Sequence, residues 1–437
     1  MMPRILIMNA GTAQMSGTDL TPIQVSLAAK SAWRSAWFAR EDDVIVSPVA
    51  VPPDLLNYIG ATLKFDPSRV SVIVPDAAQG ILNDSTLQSN TIVEKLSKTL
   101  RQRSDWTLCA CYLTEGVARL AAALGIPKNG DGFALQRGSD LLNRKSHFRQ
   151  LATSAKLPLA SGCVTTGADE LFRAVDTFSR ETGMVIVKLD NGAGGVGNII
   201  LTGEDSAPLP GARETRRLHW SLFEAEALWS EITTPSCKTA IVESYHLARS
   251  MFYLEFEIKT HGSIGYMNSG SIRMRPSADG SERSLVWTGL EIPSDISICR
   301  SSAAYAHACR FVELVRTLGY RGLINVDAIL SVDGQLLFNE ANGRWGGGSV
   351  LHSIALRLLG PDYSDHYVIS SVRNVKSRSL RATIDYLANE GCLFDTAHRQ
   401  GVIPLADDPE TETVECLVIA RDRLIGRNLE DRLLSKV

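Results

Sequence analysis

The stretch that most constrains this chain is residues 323–350, which read LINVDAILSVDGQLLFNEANGRWGGGSV. Residues 323–330 alternate and are rich in branched apolar side chains, which predicts a strand. Asp333-Gly334 supplies a two-residue turn, and residues 335–339 return as a second strand. Such a hairpin sets Asp327 on the outgoing arm and Glu340 and Asn342 at the end of the return arm. Asp327 and Glu340 then face each other on one side of the sheet, and Arg344 follows two residues after Asn342. Two carboxylates and a side-chain carbonyl converging on one point make a hard-oxygen site. Mg²⁺ meets such sites together with substrate phosphates and keeps several of its waters. For Asp327 and Glu340 alone, a polar hairpin end with ordinary turn chemistry is the alternative. Gly346-Gly347-Gly348 points further, to backbone that comes close to a ligand or forms an anion-binding nest.

Composition excludes several function classes. With 437 residues, 44% hydrophobic and 21% charged, the chain suits an ordinary globular protein of two to four domains. A formal net charge of −3 and the lack of a basic stripe with interleaved aromatics argue against a nucleic-acid binder. No run of 18 or more apolar residues occurs, and the first residues, MMPRILIMNAG, lack a signal-peptide core and cleavage site. The expectation is a cytoplasmic protein without a membrane partner. The eight cysteines form no CxxC pair, so they read as reduced, buried small hydrophobes rather than zinc ligands.

Residues 1–140 read as an α/β domain. Short apolar strands at 4–8, 44–46, 72–74 and 106–112 alternate with helical stretches such as 21–40 and 89–101, which predicts a parallel sheet covered on both faces. The loop Asn9-Ala10-Gly11-Thr12 either cradles an anion or makes a plain tight turn; it lacks the GxGxxG pattern. A basic helix is expected from 141 to about 158, then strand 162–165, helix 169–180 and strand 184–189. Lys188 sits inside that last strand, in VIVKLD. Either its stem packs and its head reaches solvent, or its ammonium meets an anion. The bare segment Asn191-Gly192-Ala193-Gly194-Gly195-Val196-Gly197 favours the anion, because exposed backbone N–H groups suit phosphate oxygens and a mobile tip suits a lid. It is not a P-loop, since GK[ST] is missing and a strand, 199–201, follows. Residues 204–216 read as an exposed connection, 218–233 as a helix, 240–246 as a strand, and 251–259 and 263–267 as antiparallel strands followed by Arg273 and Arg275. A helix over 301–318 places Tyr305, Ala308, Val312 and Val315 on one face. After the opening hairpin come a helix at 350–358 and a last piece with a helix, a strand at 415–420 and a basic C-terminal helix.

In this order the parts resemble the ATP-grasp superfamily: Lys145 at a helix start, VIVK before a glycine loop, IVES-Y at a hinge, then VDAIL…FNEANGR. The resemblance covers about 140–360, and its most specific piece is D-x(12)-E-x-N-x-R. It implies an ATP-grasp fold preceded by an α/β parallel-sheet domain (1–140) and followed by a small C-terminal α+β cap (371–437). The ATP-grasp part divides into a small subdomain (141–240) and a large one (241–370). It implies ATP held between the two subdomains, with Mg²⁺, and a carboxylate activated as an acyl phosphate for attack by an amine. Carried over, Lys145 and Lys188 contact the α- and β-phosphates, and Gly192, Gly194, Gly195 and Gly197 close over the β- and γ-phosphates. Glu243, Ser244 and Tyr245 meet adenine, largely through backbone. Asp327, Glu340 and Asn342 hold Mg²⁺, and Arg344 stabilises the transferring phosphoryl or the tetrahedral intermediate.

Two departures stand out. Asn325 occupies a position where many relatives carry Arg, so Arg273 or Arg275 would supply that charge. The usual ribose-binding Glu is missing, leaving Ser250 and His246 as candidates. The whole arrangement is most similar to peptide ligases of the pheganomycin type. These join the carboxylate of a guanidino-bearing amino acid to the N-terminus of a peptide in antibiotic biosynthesis. Glu255, Glu257, Tyr253 and Trp287 are possible pocket linings, with ordinary sheet packing as the alternative. Other readings remain: a carboxylase or phosphotransferase on the same fold, or a nucleotide sensor without turnover. Oligomeric state is unread, and a homodimer built on the terminal additions is one option.

Overall fold

The computed structural model describes residues 2–435 apart from 13–14, 16–19, 77–78, 101–104, 127–128, 192–196, 204–207, 218–219 and 277–284. Three sheets organise the described residues. The first contains β1 (Arg4–Ile7), β2 (Val44–Val46), β3 (Ser71–Ile73) and β4 (Thr107–Ala110) in the order β3-β2-β1-β4. All its pairings are parallel, as the alternation of strands and helices predicts. Helices Pro22–Ser35, Pro53–Leu63 and Asn90–Leu100 lie between these strands, and helix Glu115–Ala123 follows β4. The side chains of β1 divide between two cores: Ile5 and Ile7 pack on one side, Leu6 and Met8 on the other. That period of two is why the strand is apolar throughout.

The second sheet is formed by β5 (Gly162–Thr165), β6 (Met184–Leu189), β7 (Asn198–Thr202), β8 (Glu214–Arg217) and β9 (Ala240–Ser244), in the order β5-β9-β6-β7-β8. Helices Ala168–Thr182 and Leu222–Ile232 cover one face through Leu171, Val175, Leu228 and Ile232. Strand β8 begins within the stretch expected to be an exposed connection, 204–216, and runs one residue past it. It pairs parallel to β7 at the sheet edge, with Arg216 salt-bridged to Glu214 and Glu231. The basic helix expected over 141–158 is two helices, Gly138–Asn143 and Lys145–Ser154, broken at Arg144, which is extended at φ −101° and ψ 133°.

The third sheet has eight strands in the order β14-β13-β10-β11-β12-β15-β17-β16. These are β10 (Ala248–Ile258), β11 (Ile264–Pro276), β12 (Leu285–Ile292), β13 (Gly322–Ser331), β14 (Leu336–Asn342), β15 (Val368–Lys376), β16 (Gly401–Asp408) and β17 (Thr413–Ala420). Phe252, Leu254 and Phe256 of β10 pack towards helix Ala303–Thr317, where Ala308, Val312 and Val315 are fully buried as the helical spacing predicts. The opposite face of β10 turns Tyr253 towards helix Gly347–Leu359. The sheet runs without a break from β12 into β15, so the C-terminal strands extend the sheet that carries the hairpin. Among the described residues, no helix is long and apolar enough to cross a membrane.

Candidate active site

The β13–β14 hairpin delivers the expected pair by a longer route than a two-residue turn. Next to the turn the register is Leu330↔Leu336, with residues 332–334 as the loop and Gly334 at φ +86°. Continued unchanged, that register would set Asp327 opposite Asn339. A one-residue bulge at Asn339 shifts it, so that Asp327 pairs with Glu340 and Asn325 with Asn342. Side chains directly opposite on antiparallel strands have Cβ atoms about 4.5–5.5 Å apart. The carboxylates therefore share one patch of sheet surface.

Their electrostatics show what that proximity costs. Desolvation, and then the charge of Glu340, push the Asp327 carboxyl well above the ordinary carboxylate range, against the pull of Arg344 and Lys145. Burial also works against a charge on Glu340, but Lys145, Asn342 and Arg344 outweigh it and hold that carboxyl below its ordinary range. Lys145 Nζ lies 3.2 Å from Glu340 Oε2. Asn342 Nδ2 donates to Glu340 Oε1 at 3.3 Å, and Arg344 Nη2 donates to Asn342 Oδ1 at 2.6 Å. Asn143, Arg144, Lys145, Glu340, Asn342 and Arg344 line one recess, with Met15 and Asn191 at its edge.

This donor set fits a hard divalent cation. Two carboxylates and an amide carbonyl present oxygens, and a cation beside Asp327 would offset the desolvation and the Glu340 charge that raise its carboxyl. Among the described residues no group of three or more His, Cys, Asp or Glu side chains could hold a metal ion.

Lys145 owes its place to a residue that the sequence patterns passed over. Asp190, buried just beyond β6, accepts from Ser146 N at 2.8 Å through its side chain and from Lys145 N at 3.2 Å through its carbonyl. Asp190 so caps the helix that begins with Lys145, and its side chain also lies 3.4 Å from Arg144. Lys188, two residues before Asp190, is buried and lies 2.5 Å from Glu243 Oε2. Arg149 binds the other oxygen of Glu243 and also donates to the carbonyls of Ala160 and Gly162. Burial opposes the charge on Glu243, but Lys188 and then Arg149 win and hold its carboxyl below the ordinary range. The i, i+4 spacing of Lys145 and Arg149 on one helix was the available signal for Arg149.

The other expected residues are placed as follows. Ser244 N donates to Ser161 O at 2.8 Å and Tyr245 N to Met184 O at 3.0 Å, so these two amides serve the fold. The Ser244 hydroxyl donates to Glu181 and the Phe178 carbonyl, and Tyr245 Oη to Pro210 O at 2.9 Å. Ser250 Oγ donates to Asp295 at 2.6 Å. Gly197 has φ +85° and lies against Leu189. Gly192, Gly194 and Gly195 lie outside the described residues. Arg273 is not brought to the hairpin: Glu430 of helix Arg423–Leu434 engages its guanidinium at two points, 2.5 and 2.6 Å, with Ser370 and Arg427 on the same carboxylate. Arg275 pairs with Val286 in β11 and β12, and its side chain lies outside the described residues.

Gly346-Gly347-Gly348 departs from the expectation of a nest. Gly346 precedes helix Gly347–Leu359, none of the three has a positive φ, and Ser349 Oγ accepts from Gly346 N while donating to Glu255. A Cβ on Gly348 would sit 2.3 Å from Tyr253 Oη. The close approach that requires glycine is therefore helix against sheet. Glu255 belongs to the same packed layer: it accepts from Ser349 and from Asn268 Nδ2, and burial still raises its carboxyl above the ordinary range. Trp287 donates to the Gly289 carbonyl and carries the Arg373 guanidinium 4.4 Å over its ring.

Residues 32–126 match the family described as the Pre ATP-grasp domain. Over its whole length the structure is similar to the ADP complex of purK, N5-carboxyaminoimidazole ribonucleotide synthetase. That likeness has a TM-score of 0.59 at 11% identity and covers 99% of this chain and 96% of the other. The chain has the ATP-grasp fold. The ATP-grasp likeness extends to N5-carboxyaminoimidazole synthase from Aspergillus clavatus in complex with ADP and 5-aminoimidazole ribonucleotide, with a TM-score of 0.55, 13% identity, and coverage of 91% and 98%. It extends also to the biotin carboxylase β,γ-ATP complex from Campylobacter jejuni, with a TM-score of 0.55, 12% identity, and coverage of 97% and 88%. No curated protein sequence matches the chain. An ATP-grasp part preceded by a parallel-sheet domain is thus the architecture that the motif order implies.

Proposed function

We propose that this protein is an ATP- and Mg²⁺-dependent carboxylate–amine ligase that forms an amide bond through an acyl phosphate and releases ADP and phosphate. The observation that carries the reading is the convergence of Lys145, Glu340, Asn342 and Arg344 at one recess, with Asp327 paired across the hairpin from Glu340. Phosphoryl transfer asks little covalent chemistry of a protein; it asks for positive charge held in line with the transferring group. Asp327, Glu340 and Asn342 would hold Mg²⁺, which when bound neutralises phosphate charge. Lys145 exchanges its present partner Glu340 for a phosphate oxygen. Lys188 does the same, leaving Glu243 to Arg149. Arg344, steadied by Asn342, faces the oxygens where charge develops as the substrate carboxylate attacks. The amine then displaces phosphate from the activated carbonyl carbon.

The substrates that this reading favours are an unusual, guanidino-bearing amino acid as acyl donor and the N-terminus of a peptide as acceptor. The support is the FNEANGRWGGGS stretch together with its flanking domains. A second reading has support of its own: the structural neighbours include a carboxylase and a carboxyaminoimidazole synthetase, in which bicarbonate would be the carboxylate. Product analysis separates the two. With a panel of amino acids and short peptides, ADP and phosphate formed only when acid and amine are both present, and a hydroxamate trapped by hydroxylamine, support the ligase. ADP formation that depends on bicarbonate supports the carboxylase. AMP and pyrophosphate overturn the acyl-phosphate mechanism, and tight nucleotide binding with no turnover across the panel favours a sensor.

A further inference from the structure

Arg344 stands outside β14, on a segment held from beyond its own sheet. Tyr112, two residues beyond β4, forms an antiparallel bridge with Arg344, and Trp345 N donates to Cys111 O at 3.0 Å. The Trp345 ring lies 4.7 Å from that of Phe38, and Arg34 Nη2 donates to Gly347 O at 3.0 Å. All of these contacts come from the N-terminal domain. Beyond Ala110 the sheet edge continues as Cys111 N donates to Ile7 O of β1 at 2.9 Å, and one further residue holds Tyr112 in line. That is Asn9, fully buried at the end of the neighbouring strand β1. Its Nδ2 donates to Tyr112 O at 2.7 Å, and its Oδ1 accepts from Tyr112 N at 2.9 Å. The side-chain amide thus stands in for one more residue of β1, extending the sheet edge through both polar groups of Tyr112.

We infer that Asn9 is a positioning residue for Arg344, acting through Tyr112, and that holding the 344–347 segment is a function of the N-terminal domain at this site. The chemistry explains the residue type. Only a carboxamide offers one donor and one acceptor in a plane at this reach; a carboxylate would face the Tyr112 carbonyl with a second acceptor. Ala10 and Gly11 lie in a turn, with Gly11 at φ +75°, and the Asn9 side-chain amide is spent on protein. The positional coupling stands without the ligase reading; its effect on phosphoryl transfer rests on that reading.

The test uses full-length protein carrying Asn9→Ala or Asn9→Ser. Hydrogen exchange at the Trp345 amide should accelerate at least about 10-fold in both, with the amides of β2 and β3 unchanged. Calorimetry should show Mg·ADP affinity within about 2-fold of wild type, but affinity for Mg·ADP with aluminium fluoride, which mimics the transferring phosphoryl, lowered about 10-fold or more. Combining Asn9→Ala with Arg344→Ala should weaken that complex no further than Arg344→Ala alone, because a residue acting through Arg344 has nothing left to position. Unchanged exchange at Trp345 overturns the inference, and so do additive effects in the double variant. If wild type binds no nucleotide, the ligase reading falls and the exchange data alone decide. If neither variant folds, the wild-type chain decides: the Tyr112 and Trp345 amides must show one common opening free energy once each intrinsic exchange rate is divided out, and different values overturn the coupling.

Discussion

Glu243 is where the physics of this site makes its sharpest demand. Its carboxylate sits between Lys188, 2.5 Å away, and Arg149, and all three side chains are at most 14% exposed. At an effective dielectric near 20, a unit ion pair at the Lys188 distance is worth about 6–7 kcal/mol before desolvation is subtracted. Glu243→Gln keeps the shape and removes the charge, leaving two buried cations side by side. Breaking a buried pair in this way costs about 3–5 kcal/mol. Lys188→Met should cost less, about 1–2 kcal/mol, since Glu243 keeps Arg149. Urea denaturation should therefore rank the stabilities wild type, Lys188→Met, Glu243→Gln. The pH dependence carries a sign. The folded Glu243 carboxyl titrates below its ordinary value of 4.5, so its contribution is present above that pH and is lost as the pH falls through the lower, folded value. The gap between wild type and Glu243→Gln should close on acidification. Saturating Mg·ATP should also narrow it at neutral pH, because a phosphate would give Lys188 a new partner. A Glu243→Gln protein as stable as wild type at pH 7, or a gap that widens in acid, would refute the reasoning.

Three further outcomes follow from single contacts. Glu340→Gln should lower turnover by about 100-fold or more while leaving nucleotide affinity within a few-fold, as assays of ADP release and calorimetry would show; equal loss of both, or of neither, removes the metal role from Glu340. His352 is held neutral by burial, its pKa lowered from 6.5 to about 4, with Tyr363 Oη 2.8 Å from Nδ1. Its share of stability is complete above pH 6.5 and falls at up to about 1.4 kcal/mol per pH unit between 6.5 and 4; His352→Gln should lack that slope in pH-dependent melts. Gly348→Ala must push a methyl into Tyr253 and should destabilise by about 1–3 kcal/mol, so a melting temperature equal to wild type would contradict the packing reading of the glycines.

What could be read in advance was what local pattern dictates. The apolar strands of the N-terminal sheet, the helix face of Ala308, Val312 and Val315, and the pairing of Asp327 with Glu340 all follow from periodicities of two and 3.6. Even there, the pairing was expected from a two-residue turn, whereas the chain uses a three-residue loop and recovers the register with a bulge at Asn339. Strands with polar sequence and distant partners were invisible. β8, Glu214–Arg217, has no apolar alternation and exists because β7 offers a parallel edge and Glu231 pairs Arg216. β15 and β16 likewise take their place from a sheet that begins more than a hundred residues earlier. Side-chain partners were harder still: nothing local assigns Arg149 to Glu243, 94 residues away, or Arg273 to Glu430, 157 residues away.

The glycine triplet shows how one composition serves two physical ends, and it bears on how the active segment is held. Bare backbone suggests a ligand, yet at Gly348 the group that needs the space is Tyr253, and at Gly347 it is Leu290, 3.0 Å from where a Cβ would be. Drawing helix Gly347–Leu359 this close to the sheet fixes the carbonyl of Gly347, which Arg34 then grips. Arg34 lies on helix Pro22–Ser35, whose Lys30 is salt-bridged to Asp408 and Glu410, and Arg34 itself to Glu415, all on the β16–β17 hairpin. Trp37, just beyond that helix, donates to the Leu405 carbonyl. The first and last parts of the chain therefore clasp each other, and the clasp closes on the residues that follow Arg344. A rigid anchor of this kind is what electrostatic stabilisation of a phosphoryl group requires, since a guanidinium that must reorganise during transfer loses much of its effect. On the proposed ligase reading, the terminal additions serve as the frame that keeps Arg344 from moving.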